Sequence, residues 1–457
     1  MNKQLLLCFL VCFTTITQGQ TYLAQQHLGK LFNAQTWNPA TLGESAWQFS
    51  LLNLSSQVYS NKVSLQDFIG RNGTQKSVVY PSEALNFGQG NYLRTHTALE
   101  TFRLTYQKNK AAFSLHHASK TSAFVDYSGA LLALAIRGNS PFVGQSVPFN
   151  TDGQLLAYEE IGLGITLKVG EKWTFGLRPK WLSGHSALHT RRSQVDLFTS
   201  DDVYQLSLET DLEIDVAGAG NRSVSDFNFG PLDLDFSDSE DAIIPSTNFI
   251  ANVENDLFNF SGNNGWALDL GVAYAVNDRL QLTVNVLDIG QINWQSDSET
   301  YTAQETFAFD GLNLGLLTFD EDEDVQFSNF SDSLDVVQFD RQNSSFSTSL
   351  PAQFYAGLDY QLGEKWQLTG RVFYLRYEQG DFSGASVAAD YQVLPALRLG
   401  TSYTVMNETA FLLGLHAVWE IGSLQLYATT SNVLGAFDLA SARTVDLAVG
   451  VAVGLGE

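Results

Sequence analysis

Arg103, Arg178, Lys180, Asp269, Asp359, Arg371, Arg398 and His416 stand at alternate positions of segments whose other positions are large and apolar. In an extended strand, residues i and i+2 share a face, so these side chains project away from the greasy one. If the greasy faces meet lipid, the ionisable set faces the inside of a closed sheet. Charges of both signs enclosed together pair and solvate one another, making a structural ion network that fills the interior. The functional counterpart is a polar path, or a wall that contacts an anion in passage. Basic members outnumber acidic ones in this set, which suits a carboxylate head group.

Other clusters carry weaker chemistry. Asp320-Glu321-Asp322-Glu323-Asp324 is the sharpest acidic run. Asp320, Asp322 and Asp324 are its candidates for calcium, which takes roughly six to eight oxygen ligands. The run lacks the glycine and the closing glutamate of an EF-hand loop, so a solvated, self-repelling loop is the plainer reading. His185 and His189 share a strand face roughly 13 Å apart, too far for one metal. His116 and His117 point to opposite faces. Neither G-x-S-x-G nor H-E-x-x-H occurs. A serine paired with a histidine from a distant strand leaves no local signal, and His416 or His185 would then be the base. Catalysis is still not the expectation, and no cofactor is implied. Cys8 and Cys12 are the only cysteines, and both lie in the leader described below. The mature chain therefore has no thiolate metal site, cysteine nucleophile or disulfide.

The elements that must position these residues recur as hairpins. IGLGITLKV-GEK-WTFGLRPKWL (161–182), GWALDLGVAYAV-ND-RLQLTVNVLDI (265–289) and QFYAGLDYQL-GEK-WQLTGRVFYL (353–375) each alternate with period two across a tight polar turn. Segments of about ten alternating residues are the signature of membrane-spanning β-strands. Tight turns fall at 108–110, 170–172, 277–278, 363–365, 394–395 and 421–422. Longer connections fall near 61–97, 119–154, 190–263, 297–347, 379–382, 406–409 and 433–441. The two kinds alternate, which requires 14 strands: roughly 47–60, 98–107, 111–119, 155–169, 173–189, 264–276, 279–296, 348–362, 366–378, 383–393, 396–405, 410–420, 423–432 and 442–455. The fold class is all-β: a 14-stranded antiparallel transmembrane barrel with a short N-terminal plug and long acidic external loops. Tyr106, Trp173, Tyr274, Tyr360, Trp366 and Trp419 sit near short turns, where an interfacial aromatic girdle belongs. Tyr204–Val216 also alternates, but as a spanning strand it would break the parity. It reads as a hairpin arm projecting from an external loop.

The formal net charge is −24, which argues against nucleic-acid binding. Residues 191–263 hold 15 Asp and Glu against three Arg, and residues 297–347 hold 12 against one. The alternating segments are nearly neutral, as a lipid-facing wall requires. Lys3 and the apolar stretch Leu5 to Ile16 read as a secretory leader, residues 1–19, with Thr17 and Gly19 as its small residues before a cut. Residues 20–46 form a plug on the periplasmic side, with a short helical stretch near Gln26–Asn33 and Asn38-Pro39-Ala40 at the centre of TWNPATLGES. Pro39 forbids a ladder bond at its own position and keeps Asn38 extended. Residues 47–457 make the barrel.

The leader, the NPA-containing segment and the strand count resemble the long-chain fatty-acid transporter (FadL-type) barrels. The hairpin LQLYATTSNVLG (424–435), the last strand VDLAVGVAVGLG (445–456) and LPAQFYAGLDYQLGEKWQL (350–368) are closer to an uncharacterised family of Bacteroidota outer-membrane barrels, a domain of unknown function. The chain departs from many such barrels in ending Leu455-Gly456-Glu457, without a terminal aromatic. Fatty-acid ligand residues have no match here beyond Asn38-Pro39-Ala40. The resemblance implies location in the bacterial outer membrane, among lipid and lipopolysaccharide. It implies passive uptake of a small hydrophobic or amphipathic molecule through a plugged lumen. The alternative is a non-transporting interaction barrel, such as a type IX secretion accessory protein that docks secretion-system partners through its external loops.

Overall fold

The computed structural model describes residues 23–28, 31–62, 64, 69–72, 75–78, 90–130, 133, 139–148, 150–201, 205–218, 258, 260–309, 318–319, 325–326, 339–406, 409–439 and 441–456. The leader and the 320–324 acidic run lie outside them. Strand β1 (Trp47–Ser60) pairs with β2 (Asn91–Lys108) on one side and with β14 (Thr444–Leu455) on the other, which closes the sheet. Between these run β3 (Ala111–Tyr127), β4 (Thr151–Val169), β5 (Trp173–Thr199), β6 (Asn263–Asn277) and β7 (Leu280–Trp294). Then come β8 (Ala352–Leu362), β9 (Trp366–Arg376), β10 (Asp381–Leu394), β11 (Leu397–Met406), β12 (Thr409–Ile421) and β13 (Leu424–Thr430). Each pairs antiparallel with the next. The result is the expected 14-strand barrel, which leaves no open sheet edge in the wall.

Alternation decides which way each side chain points. Phe113, Leu115, Leu163, Ile165, Leu167, Phe175, Leu177, Val284, Val372, Val387 and Leu415 are exposed on the outer wall, while their neighbours in sequence face inward. In water such a surface would be a large unpartnered apolar patch. In hydrocarbon it is the solvated face. Aromatic pairs ring the end that carries the tight turns. Trp47 meets Tyr106 at 4.5 Å, Trp173 meets Tyr274 at 4.6 Å and Trp366 meets Tyr391 at 4.7 Å between ring centroids. Each pair is directly cross-strand, so the girdle follows from register. Among the described residues no helix is long and apolar enough to cross a membrane.

Strand β5 is 27 residues long, far more than a bilayer requires. Its outer part, from Ala187 to Thr199, pairs with the strand Leu206–Ala217, which pairs in turn with Ser298–Phe309. These strands pack Val195, Leu197, Leu206, Leu208 and Ala303 into a small apolar core beyond the barrel. Leu206–Ala217, which carries the described part of the expected 204–216 arm, thus lies outside the wall, and its parity is preserved. Other boundaries shift. Strand β2 starts at Asn91 and β3 runs to Tyr127, because Tyr92, Arg94 and His96 continue the inward-facing set past the position where the chain turns polar. The helix is also displaced: it spans Leu23–Gln26, and a 3₁₀ turn occupies Ala34–Thr36. Of the expected 26–33 stretch, His27, Leu28 and residues 31–33 are not helical, and residues 29 and 30 lie outside the described residues.

Candidate functional site

The inner wall between β2 and β7 concentrates charge. Arg178 and Asp269 are direct cross-strand neighbours on β5 and β6, and their ion pair is 2.6 Å long. Lys180, one inward position further out, lies 2.8 Å from Asp269 and 3.4 Å from Glu160. It also pairs with Asp288. The register between β6 and β7 slips at Leu268/Leu270. This bulge puts Asp288 at a φ of 61° and aims it inward, where its N–H donates to Asp269 at 2.7 Å. Lys120 from β3 bridges Glu160 at 2.9 Å and Asp288 at 3.2 Å. Nearer the periplasmic end, Arg103 pairs with Glu100 at 2.5 Å, and Asn53 donates to the same carboxylate at 2.8 Å. The apparent excess of base is corrected here. Glu100, Glu160 and Asp288, which the sequence reading omitted, balance the cations. Burying a charge costs several kcal/mol unless a partner compensates, and these charges are shared among two or more partners.

The chain before β1 lies against this wall. Arg178 donates to the carbonyls of Gln35 at 2.5 Å and Thr36 at 2.7 Å. Thr166 donates to the Pro39 carbonyl at 2.7 Å, and Asn285 to that of Trp37. Thr36 donates to Glu100 at 3.1 Å. On the far wall, Arg371 donates to the Gln26 carbonyl at 2.9 Å and to Asp359 at 2.6 Å. Asn38 accepts from the Ala40 N–H at 3.0 Å, a local turn that presents Pro39 and Ala40 to the wall. There Gly176 and Gly271, paired across β5 and β6, leave room for their backbone. Asn38, Pro39 and Ala40 therefore form a flat contact on a glycine patch. Between this segment and the ion network remains a cavity lined by Gln25, Trp37, Asn53, Lys120 and Asp288, among others. Its space for water centres is about 20 Å³, room for one or two waters.

The remaining sequence-chosen residues lie apart from that network. Arg398 sits near the periplasmic rim, 4.0 Å from Glu420. His416 is buried mid-wall, with Nδ1 3.4 Å from Asp390 and Nε2 3.3 Å from Ser402. That connectivity is the order of a serine–histidine–aspartate relay, but its surroundings do not suit catalysis. The His27 ring of the N-terminal segment stacks on His416 at 5.8 Å, inside the lumen and away from the outer rim. The backbone around Ser402 is committed to its ladders, leaving no donor pair for an oxyanion. His27 itself bonds Ser386 at 2.8 Å and Thr369, so this group docks the segment to the wall. His117 and His185 flank Glu159 on the outer side of the wall, at 3.4 and 3.6 Å. Among the described residues no group of three or more His, Cys, Asp or Glu is placed to hold a metal ion.

An apolar column occupies the rest of the lumen, and sequence reasoning missed it. It runs from Leu28, Leu31 and Trp37 of the N-terminal segment past Leu287, Tyr355, Phe373 and Tyr427 to Tyr59, Tyr92, Phe124, Tyr377 and Phe382 near the outer mouth. Arg94 stands among those outer rings. The available signal was the alternation Tyr92-x-Arg94-x-His96, which lay in a stretch read as a connection.

A closed, even-stranded antiparallel wall with an apolar exterior, tight turns at one end and long connections at the other defines an outer-membrane β-barrel. This one has its N-terminal segment folded into the lumen. The chain belongs to the Family of unknown function (DUF5723), which matches residues 39–431. No curated protein matches it. Among solved structures, the chain is similar to the toluene transporter TodX of Pseudomonas putida, at 12% identity over 96% of this chain and 97% of that one, with a TM-score of 0.41. The toluene transporter TbuX of Ralstonia pickettii aligns at 11% identity over 92% of each chain, with a TM-score of 0.38. A FadL homologue of Pseudomonas aeruginosa aligns at 11% identity over 96% and 97%, with a TM-score of 0.33.

Proposed function

We propose that this barrel admits a small hydrophobic or amphipathic molecule across the outer membrane by passive, plug-gated uptake. The observation that carries the reading is the apolar column inside the lumen. A pore for hydrophilic solutes has a polar, water-filled interior, whereas here aromatic and aliphatic side chains run from the outer mouth to Trp37 of the plug. A permeant would enter at the outer rings, follow the column and leave when residues 23–46 shift. The ion network on the opposite wall anchors that plug and keeps the closed state from leaking water or ions. Residues 23–46 act as the gate, and Arg178 and Arg371 act as its latches.

The test is entry of the neutral fluorescent probe N-phenyl-1-naphthylamine into cells or liposomes carrying the barrel. Faster entry than in barrel-free controls, abolished by Trp37→Arg, is the expected result. Equal entry with and without the barrel refutes uptake.

A second reading, an interaction barrel, is favoured by one feature: the four-stranded external sheet that extends β5 and ends on Asp340–Asn343. Such a surface suits a docked secretion-system protein or lipopolysaccharide. In-cell crosslinking from an exposed position of that sheet, such as Arg192, reads it directly.

A further inference from the structure

The outer side of the wall carries a polar cluster beneath an apolar cover. On outward-facing positions of β3, β4 and β5, Glu159 lies between His117 and His185, at 3.4 and 3.6 Å. Thr101 of β2 adds a hydroxyl 2.8 Å from the His117 ring. Glu159 and His117 are each 1% exposed. Their cover is the chain that leads into β6. The Phe258 ring stacks on His117 at 4.2 Å, and the Phe258 N–H donates to Glu159 at 2.7 Å. Ser261 donates through its N–H to the Ser183 hydroxyl at 2.8 Å and through its own hydroxyl to the Gly184 carbonyl. The outer face of this strap is greasy, with Phe258 54% and Phe260 42% exposed. Phe260 packs edge-on against Trp181 at 5.1 Å. Trp181 is the cross-strand neighbour of Trp266, and both are exposed on the lipid-facing wall. The strap therefore continues that wall outward.

Water would solvate a carboxylate and two imidazoles without any cover, and it would disfavour two phenyl rings standing above them. Lipid accounts for both features at once. Polar side chains at membrane depth have to be enclosed, and whatever encloses them has to be apolar on its far side. The height agrees. Glu159 stands ten residues before Val169, the outward residue beside the tight turn that ends β4. At about 3.3 Å per residue and a tilt near 40°, that separation is roughly 25 Å, the full apolar band of a barrel. We propose that the strap carrying Phe258 and Phe260 is a lipid anchor, seated where the acyl chains of the outer leaflet meet their headgroups. The occupant of its exposed face is bilayer lipid. The two rings meet the upper acyl chains, and Glu159, His117 and His185 stay enclosed beneath them. The last described residues of the long 190–263 connection thus enter the membrane rather than the external water. The inference is independent of what the lumen carries.

Fluorescence quenching at the two ring positions tests this. Cys8→Ser and Cys12→Ser remove the only cysteines, so Phe258→Cys and Phe260→Cys each take a single nitrobenzoxadiazole label. The labelled full-length barrels are placed in phosphatidylcholine–phosphatidylglycerol vesicles that contain lipid spin-labelled near the top or near the end of its acyl chain. Aqueous iodide is the third quencher. Both labels should lose most intensity to the shallow spin label, less to the deep one and little to iodide. Leu163→Cys, midway along the lipid-facing side of β4, should respond most to the deep label, and Arg192→Cys, on the external sheet, to iodide alone. The folded band on unheated gels identifies the intact variants, and two positions guard against a label that itself dislodges one ring. The shallow-lipid pattern at either position supports the anchor. Both positions following Arg192→Cys would place the strap in water and overturn it. Labels shielded from lipid and iodide alike overturn it too, in favour of a protein cover such as a second copy of the chain.

Discussion

Gly176→Ala is the most direct test of how the plug is held. A β-carbon at this position would sit 2.5 Å from the Ala40 nitrogen, and closer still to the Pro39 carbonyl group. Ordinary contact begins near 3.4 Å, so the plug must retreat by about 1 Å or the strand must bend. The wall at this point is pinned on both sides, by Thr166 on β4 and Gly271 on β6. The plug backbone is the softer partner. Its retreat stretches the 2.7 Å bond from Thr166 to Pro39 and the pair from Arg178 to Gln35 and Thr36. Overpacking of this kind costs about 1–3 kcal/mol, which corresponds to roughly a 5- to 150-fold shift in a docking equilibrium. Amide exchange measured by mass spectrometry on the peptide covering 31–46 should accelerate by that factor, while peptides from β8 to β11 stay protected. Gly370→Ala is the matched control, since its β-carbon would meet only Leu358 at 3.6 Å, an ordinary contact. Unchanged exchange of 31–46 in folded Gly176→Ala would show that the glycine patch does not seat the plug.

Three further outcomes follow from the wall and its charges. Arg178→Met leaves Asp269 with Lys180 as its remaining cation and removes two charged hydrogen bonds to the N-terminal segment, so thermal unfolding should show a loss of about 2–3 kcal/mol. An unchanged midpoint would count against the network as the anchor. Leu163→Arg, on the exposed lipid-facing side of β4, should destabilise the barrel by about 2–4 kcal/mol in a bilayer; loss of the same size in a barrel assayed free of any apolar phase would contradict the lipid contact. Glu378, in the connection between β9 and β10, is held below the usual carboxylate range first by its hydrogen bond with His189. A depressed carboxylate contributes stability above its unfolded value of 4.5 and loses it as pH falls through the lower folded value. The difference in stability between wild type and Glu378→Gln should therefore be largest between about pH 4.5 and 6.5, shrinking below that window as Glu378 takes a proton and above it as His189, which its carboxylate partners raise to about 9, loses the same coupling. A difference that grows with acid below that window would reverse the assignment.

The strand count and the direction of each strand were readable because alternation is a local property. Ile161, Leu163 and Ile165 declare an apolar face whatever lies beside them, and Gly170–Lys172 declares the turn that follows. One-dimensional pattern also placed Tyr204–Val216 outside the wall, since an odd strand cannot close an antiparallel barrel. What pattern could not supply was pairing across strands. Asp288 follows Leu287 in a segment whose parity would send it outward, and only the β6–β7 bulge turns it in toward Asp269 and Lys180. Arg94 and Phe382 lie far apart in the chain and meet because β2, β3 and the start of β10 converge at one mouth.

The sequence by itself determined the barrel and its lipid-facing skin, because hydrophobic period is carried by neighbours along the chain. Only the tertiary structure decided that the lumen holds both an ion network and an aromatic column, with the N-terminal segment hydrogen-bonded to the first and packed into the second. Those partners come from strands whose relative height is set by register and bulges, and a one-residue slip there reverses every side chain.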